Sequence, residues 1–203
     1  MKIGIFGGSF NPPHKMHQKI ALDLIKKGYV DKIIFVPTGA KYSYKSDLLD
    51  PKIRYKMLTL ICQNNRQLSV SDYELKEQVV YTYETLDYFK KLYKHDEIYF
   101  ICGTDNLSYL DKWKHGLTIL KNNKFLIIKR KSDNLEPILE KYKDYKDNLI
   151  ITSIKEDGLS STYIREQIKR NGFNSIKDYV PKEIYQYLSD HKLYLDNKIS
   201  WPC

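Results

Sequence analysis

The amino-acid sequence predicts an α/β fold, a doubly wound parallel β-sheet with helices on both faces and a small helical extension at the C-terminal end. Two observations support this prediction. Short apolar runs rich in β-branched residues, typical of strands buried on both faces, recur along the chain, and segments with apolar residues at helical spacing separate them. The first strand, helix and strand fit within about 35 residues, which is a βαβ unit and requires a parallel sheet with a right-handed crossover.

The first strand and helix occupy residues 2–28. This stretch opens with an apolar run that contains Ile3 and Ile5, and the run breaks at the pair Gly7-Gly8. Apolar residues at helical spacing then continue to the end of the stretch. Free N–H groups and the positive end of the helix dipole lie where this helix begins, so the sequence predicts an anion site there.

Two histidines, His14 and His17, stand at the start of that helix. Imidazoles three residues apart on one helical face can both hydrogen-bond a polyphosphate, and glycines let the backbone approach a phosphate closely. A strand, two glycines and this histidine pair together predict a polyphosphate site. The alternative is a glycine turn followed by a solvated histidine pair.

Five further strands are predicted along the chain, at residues 32–36, 68–73, 97–102, 124–128 and 149–152. Helical segments alternate with them: one begins at Pro51, one follows residue 81, a charged surface helix covers residues 135–146, and hydroxyl residues cap another near residue 160.

Parallel sheets bind ligands beyond the carboxyl ends of their strands. The polar segment 39–50 follows the second strand and is therefore expected to lie over the site, with Lys41 and Lys45 as candidates for binding a substrate phosphate. Solvated loop lysines are the alternative.

Composition excludes several classes of protein. The chain has 203 residues, 42% of them hydrophobic and 29% charged, as in globular domains, and it shows neither the apolar core of a signal peptide nor a membrane-spanning run, so we expect a cytoplasmic protein without a membrane partner. Cys62, Cys102 and Cys203 are scattered and indicate neither disulfides nor a zinc site. The net charge of +9 is spread along the chain without an arginine-rich arm, which favours steering of anionic substrates over nucleic-acid binding.

The residues GGSFNPPHKMH at 7–17 resemble the signature of the nucleotidyltransferase superfamily with an H-x-G-H motif, and within it the bacterial-type nicotinate mononucleotide adenylyltransferases. The resemblance implies a Rossmann-like sheet. It covers residues 1–194 and implies one nucleotidyltransferase domain followed by a short tail at 195–203. Asn11 stands where aspartate is common in the family. Met16 stands where glycine is expected, so its side chain must point away from a triphosphate or narrow the pocket, and its replacement by glycine is expected to be tolerated.

Weaker matches to the family lie at the carboxyl ends of later strands and imply two sets of binding residues. The ATP-binding set is Gly7, Gly8, Ser9, Phe10, His14, His17, Gly103, Asp105, Ser160, Ser161, Thr162 and Arg165. The mononucleotide-binding set is Lys45, Arg54, Tyr81, Thr82 and Trp113.

Individual roles follow from the same resemblance. Main-chain N–H groups at Tyr81 and Thr82 would bind the nicotinate carboxylate, although Thr82 could equally be a helix cap. Trp113 would stack on the pyridine ring, or else pack a helix. Asp105 has no charge partner nearby in sequence, so its expected work is at a ribose or in ordering its turn.

The resemblance implies transfer of the adenylyl group of ATP to nicotinate mononucleotide in NAD biosynthesis, giving nicotinate adenine dinucleotide and pyrophosphate. His14, His17 and Arg165 would be the catalytic residues, and Mg²⁺ would be carried mainly by the ATP phosphates, with no metal site built by the protein. The implied partners are small molecules, and formation of a homo-oligomer is left open. The alternatives are an adenylyltransferase for nicotinamide mononucleotide or phosphopantetheine, or a non-catalytic protein that binds nucleotides or RNA.

Overall fold

A computed structural model of the protein describes residues 1–39, 48–76, 78–130 and 133–195. Within these residues, six parallel strands form one sheet in the order β3-β2-β1-β4-β5-β6. The strands are β1 (Lys2–Gly8), β2 (Lys32–Pro37), β3 (Leu68–Val70), β4 (Glu97–Gly103), β5 (Lys124–Arg130) and β6 (Leu149–Glu156). The doubly wound parallel sheet is confirmed.

Helices cover both faces of the sheet, and each face has its own hydrophobic core. The helices are α1 (Lys15–Lys26), α2 (Pro51–Cys62), α3 (Thr82–Leu92), α4 (Thr104–Ser108), α5 (Gly116–Asn122), α6 (Glu136–Lys141), α7 (Ser161–Asn171) and α8 (Lys182–Asp190). Buried side chains of α1, α2, α7 and α8 belong to one core, and those of α3, α4 and α5 belong to the other. Alternate residues of β1 point into each core, which is why this strand reads as a continuous apolar run.

The order of the strands reverses at β1, which pairs with β2 on one side and with β4 on the other. The chain leaves β1 toward one edge of the sheet and leaves β4 toward the opposite edge, so a crevice opens between the carboxyl ends of these two strands. Gly7 and Gly8 end β1, and Gly103 ends β4. The fold therefore brings together the glycine turns of two segments that are about 95 residues apart in the sequence.

The predicted C-terminal helical extension is present as a 3₁₀ segment, Phe173–Ile176, followed by α8. Ile184 and Leu188 of α8 are fully buried in the same core as Met57 of α2. The extension is therefore part of the packed body of the protein. No helix in the described ranges is both long enough and apolar enough to cross a bilayer.

Two predicted elements differ from the structure. β3 ends at Val70 rather than at residue 73, and the residues after it leave the sheet toward the crevice. The predicted surface helix at 135–146 is divided into α6 and a 3₁₀ segment, Lys143–Asn148. Tyr142 lies at the break, where it is 1% exposed and its hydroxyl donates to Asp111 at 3.0 Å. Burial of this tyrosine side chain explains why the helix does not continue.

Candidate active site

A cavity of about 790 Å³ lies at the crevice between β1 and β4. Its wall brings together the predicted ATP-binding residues of β1 and α1 with the predicted mononucleotide-binding residues at the start of α3 and at Trp113. A cavity of this size accommodates a ligand of drug-like dimensions or larger. The two predicted sets of residues therefore face one shared space.

The segment that links β1 to α1, residues 7–14, is named the phosphate loop here. Phe10 adopts a positive φ of 45° and is 1% exposed, because its ring turns back beneath Gly8. A Cβ atom at Gly8 would lie 3.1 Å from the Phe10 ring, so a larger residue would displace the ring. Phe10 also packs edge-on against His17, with 4.9 Å between ring centroids. Phe10 lines the cavity, and its buried ring packs beneath the phosphate loop.

The two histidines form a hydrogen-bonded pair at the start of α1. His14 is the N-cap residue, and its N–H donates to Nδ1 of His17 at 3.2 Å. The two rings are tilted by 32° to each other, with centroids 3.7 Å apart. Because Nδ1 of His17 accepts a hydrogen bond, the neutral ring carries its proton on Nε2. His17 is thereby set up as a neutral donor in the cavity wall.

Burial of the histidine pair disfavours positive charge. Desolvation lowers the pKa of His14 to about 4, and desolvation together with the neighbouring His14 holds the pKa of His17 well below its usual value of 6.5. Nδ1 of His14 is buried without a hydrogen-bond partner among the described residues. Since buried polar atoms are normally paired, this atom marks a place where a ligand or water completes the site.

The C-terminal half of the chain fastens the phosphate loop. Arg165 of α7 donates from Nη1 to the Asn11 carbonyl at 2.9 Å, and the Ser161 hydroxyl donates to the Pro12 carbonyl at 2.8 Å. The Tyr194 hydroxyl donates to Oδ1 of Asn11 at 2.7 Å. Asn11, which stands where aspartate is common in the family, thus serves here as a neutral acceptor for the C-terminal tyrosine.

The predicted ATP-binding residues at 160–165 lie beside the phosphate loop, outside the residues that line the cavity. Ser160 caps α7 by accepting from the Tyr163 N–H at 3.2 Å. Arg165 also reaches Oγ1 of Thr162, at 3.4 Å from Nη2. In the free protein, these side chains therefore bind the loop and each other, and their contact with ATP stays a prediction.

The opposite wall of the cavity carries the predicted mononucleotide-binding residues. Tyr81 is the N-cap of α3, its N–H donates to Oε2 of Glu84 at 2.8 Å, and Thr82 follows as the first residue of the helix. Trp113 is half-buried and packs edge-on against Phe100, with 6.3 Å between centroids. It lines the cavity and also contacts the core, so the predicted stacking and packing roles are compatible.

Asp105 has a charge partner in the folded protein, although none lies near it in the sequence. Oδ2 of Asp105 lies 3.0 Å from Nη2 of Arg130, and Nε of Arg130 lies 3.1 Å from Oε2 of Glu156. Arg130 ends β5 and lines the cavity. A Cβ atom at Gly103 would lie 2.5 Å from Oδ1 of Asp105, so a larger residue there would displace this carboxylate. Asp105 thus belongs to a chain of charges along the carboxyl ends of β4, β5 and β6.

The structure argues against contact of Arg54 with the mononucleotide, which stays a prediction. Arg54 is fully buried and does not line the cavity. Its guanidinium donates to the carbonyls of Leu49, Ser9 and Thr38 at 2.9, 2.8 and 2.6 Å. Burial lowers the pKa of Arg54 to about 10, so the group is still a cation at neutral pH. Its donors hold two loops together beneath the site.

Two of the sequence-based candidates cannot be placed. Lys41 and Lys45, the proposed ligands for a substrate phosphate, lie outside the described residues. Their role stays a prediction.

Met16 occupies the position of the expected glycine without blocking the cavity. Its side chain is 4% exposed and packs in the core beside Ile20. It contributes only part of the cavity wall. The burial of Met16 argues against the expectation that glycine is tolerated here, because removal of this side chain would leave a void in the core.

Several polar residues of the cavity were not anticipated from the sequence. They are Glu74, Thr85, Lys112, Lys114, Arg130 and Glu156. Nζ of Lys114 lies 4.2 Å from the centroid of the Tyr81 ring, in a cation–π contact on the cavity wall that carries Tyr81 and Trp113. Arg130 could have been found, because it directly follows a predicted strand whose carboxyl end must face the site. No local signal distinguishes Glu74 from a surface residue.

Comparisons with known proteins agree with this geometry. Residues 5–167 match the cytidylyltransferase-like family. A probable nicotinate-nucleotide adenylyltransferase from Clostridium acetobutylicum is 38% identical over 96% of this chain and 99% of its own length, and one from Aliarcobacter butzleri is 37% identical over 91% and 93%.

Solved structures show the same fold. A nicotinic acid mononucleotide adenylyltransferase from Plasmodium falciparum, complexed with APC, has a TM-score of 0.78 at 25% identity, covering 95% of this chain and 96% of that one. The structure of the Plasmodium falciparum enzyme complexed with NaAD has a TM-score of 0.80 at 24% identity, covering 95% and 97%. The chain belongs to the nicotinate-nucleotide adenylyltransferase family, within the cytidylyltransferase-like proteins.

Proposed function

We propose that this protein transfers the adenylyl group of ATP to nicotinate mononucleotide, giving nicotinate adenine dinucleotide and pyrophosphate, as a step of NAD biosynthesis. The observation that carries the proposal is the single cavity with the His14–His17 pair and the glycine turns on one wall and with Trp113 and the start of α3 on the other. Two substrates bound to these walls would meet between them.

The reaction needs alignment rather than a covalent intermediate. A phosphate oxygen of the mononucleotide attacks the α-phosphorus of ATP, the bond to the bridging oxygen of the β-phosphate breaks, and pyrophosphate leaves with that electron pair. The nucleophile is already an anion, so no side chain has to remove a proton from it. The protein accelerates such a step by holding the two phosphates in line and by stabilising the charge on the phosphate oxygens.

Hydrogen-bond donors on the ATP side supply that stabilisation. Nε2–H of His17 would donate to a phosphate oxygen, and His14 would complete its own unpaired hydrogen bond on the same group. The N–H groups at the start of α1 and the glycines of the phosphate loop would receive the rest of the triphosphate. Arg165 would neutralise charge on the departing pyrophosphate from its place beside the loop.

The wall at α3 and Trp113 would hold the mononucleotide. The Thr82 main-chain N–H would bind the carboxylate, joined by the Tyr81 N–H once that group leaves Glu84, and the Trp113 ring would stack on the pyridine. Lys114 adds a positive charge beside Tyr81, which favours an anionic substrate. Lys45 would bind the substrate phosphate.

Mg²⁺ would arrive with ATP and supply further neutralisation of the phosphate charge. In the ranges that the structure describes, no three His, Cys, Asp or Glu side chains gather where an ion could sit between them. The histidine pair and Arg165 offer only donors to phosphate oxygens, so phosphate and water oxygens would make up most of the ion's shell. The proposal includes a cytoplasmic location, where ATP is available. It also includes one catalytic domain over residues 1–194, which the hydrogen bond between Tyr194 and Asn11 supports.

A pyrophosphate-release assay tests the proposal. ATP is combined in turn with nicotinate mononucleotide, with nicotinamide mononucleotide and with phosphopantetheine, and the products are identified by mass. We expect fastest turnover with the acid and a product of the mass of nicotinate adenine dinucleotide. Preferred turnover of phosphopantetheine, or no turnover combined with steeply salt-dependent RNA binding, would overturn the proposal.

A further inference from the structure

The cavity contains a buried carboxyl group that the proposed mechanism does not use. Glu74 follows β3, is 6% exposed, and lines the cavity together with Tyr81, Thr82 and Thr85 of the α3 segment. A Cβ atom at Gly39 would lie 2.5 Å from the Glu74 carbonyl, so the backbone after β2 is packed tightly against this residue. Glu74 therefore sits at a fixed place behind the wall that would receive the nicotinate carboxylate.

One hydroxyl group connects Glu74 to the start of α3. Oγ1 of Thr85 lies 2.6 Å from Oε1 of Glu74 and 3.4 Å from the Tyr81 carbonyl. A hydroxyl has a single proton to donate. When Glu74 is ionised, that proton must go to its carboxylate. When Glu74 is protonated, its carboxyl group can donate to the Thr85 hydroxyl oxygen. The Thr85 hydroxyl can then donate its own proton to the carbonyl of Tyr81, the N-cap residue of α3.

The surroundings of Glu74 favour a proton near neutral pH. Burial raises its pKa to about 7, against the opposing effects of the Thr85 hydroxyl and of the Arg54 cation on α2. Tyr73 lies beside Glu74 on the same segment, and the α3 carboxylates Glu84 and Asp87 lie close enough to Tyr73 to raise its pKa. No lysine, arginine or histidine of the described chain forms an ion pair with it. Both protonation states are therefore populated in the free protein around pH 7.

We propose that Glu74 is a positioning residue that selects the acid mononucleotide over the amide by being protonated when the acid is bound. The inference rests on the proposed function. A second negative charge in a poorly solvated wall would repel the nicotinate carboxylate, whereas a neutral carboxyl group removes that repulsion and lets the Thr85 hydroxyl hold the start of α3, where the Thr82 N–H would bind the substrate. The carboxamide of nicotinamide mononucleotide carries no charge, so an ionised Glu74 does not repel it and can accept a hydrogen bond from its NH₂ group.

The test is the ratio of kcat/KM for nicotinate mononucleotide to kcat/KM for nicotinamide mononucleotide, measured from pH 6 to 8.5. The two mononucleotides carry the same phosphate and ribose, and both react with ATP. Ionisation of those shared groups and of ATP therefore cancels in the ratio. We expect the ratio for the wild-type protein to fall by about tenfold between pH 6.5 and 8.5 as Glu74 loses its proton.

Three variants assign any such change to Glu74. Glu74→Gln cannot ionise, so its ratio should stay constant over this pH range. Thr85→Val removes the donor that favours the ionised carboxylate, so the fall should move to higher pH. Thr85→Ser keeps the hydroxyl and is the matched control, with a profile like that of the wild type.

A ratio for the wild-type protein that does not change with pH, or a Glu74→Gln variant that keeps the wild-type fall, would overturn the inference while leaving adenylyl transfer intact. Absence of turnover with both mononucleotides at every pH would instead overturn the proposed function. If Glu74→Gln does not fold, the profiles of the wild type and of Thr85→Val decide.

Discussion

His17 has two separable jobs in the structure, and two substitutions separate them. Its Nδ1 accepts the N–H of the N-cap residue His14, and its Nε2–H faces the cavity as a donor. His17→Ala removes both interactions. His17→Gln places at the same helical position a side chain that commonly accepts the N-cap N–H, so it keeps the first interaction and loses the imidazole donor.

The expected magnitudes differ for the two jobs. Loss of an acceptor for an N-cap N–H costs about 1 kcal/mol of folding free energy. Loss of one preorganised donor to developing phosphate charge lowers kcat by about 100- to 1,000-fold. His17→Ala should therefore be slightly destabilised and slow, whereas His17→Gln should be as stable as the wild type and equally slow.

Urea unfolding gives the stability of each variant, and pyrophosphate release at saturating ATP gives kcat. Near-normal turnover in His17→Ala would remove the imidazole from the mechanism. Full turnover in His17→Gln together with slow turnover in His17→Ala would show that the histidine acts only by holding the start of α1.

Three further outcomes are expected. Arg54→Ala should lower the free energy of unfolding by about 3 kcal/mol or more, because three partly buried carbonyls lose their donor; a stable variant with a raised KM for the mononucleotide would support Arg54 as a ligand. Met16→Gly should cost about 3 kcal/mol or more in the same measurement, through the void in the core and the glycine in a helix, and unchanged stability would contradict this account. His14 has a pKa lowered to about 4, so on acidification the unfolded chain binds a proton first, and the wild type should lose about 3 kcal/mol through this group between pH 7 and 4; a loss of equal size in His14→Asn would assign the acid sensitivity to other groups.

The order of strands and the place of the phosphate loop could be predicted because the signals are local. β1, β2, β4 and β5 are short apolar runs, and each ends in a turn or a charged residue that the sequence displays. A parallel sheet then dictates where the ends of these strands meet. This argument places the histidine pair and the glycine turns at the carboxyl edge of the sheet, the family resemblance adds Tyr81, Thr82 and Trp113, and all of them line the cavity.

What could not be predicted depends on contacts between distant segments. Arg54 looks like a ligand in the sequence because it opens a helix near the site, but its acceptors are carbonyls up to 45 residues away. Asp105 gains its charge partner only when β4 and β5 lie side by side. Glu74 stands in a polar segment, and only the packing of α2 and α3 around it makes it a buried acid.

The attachment of the phosphate loop to the C-terminal end has a consequence for synthesis of the protein. Residues 7–14 are synthesised well before Tyr179, which accepts from the Lys15 N–H, and before Tyr194, which donates to Asn11. A nascent chain can therefore pair its first strands without having a finished nucleotide pocket. Translation that stops before the last helix would yield a protein with a sheet and no working catalyst.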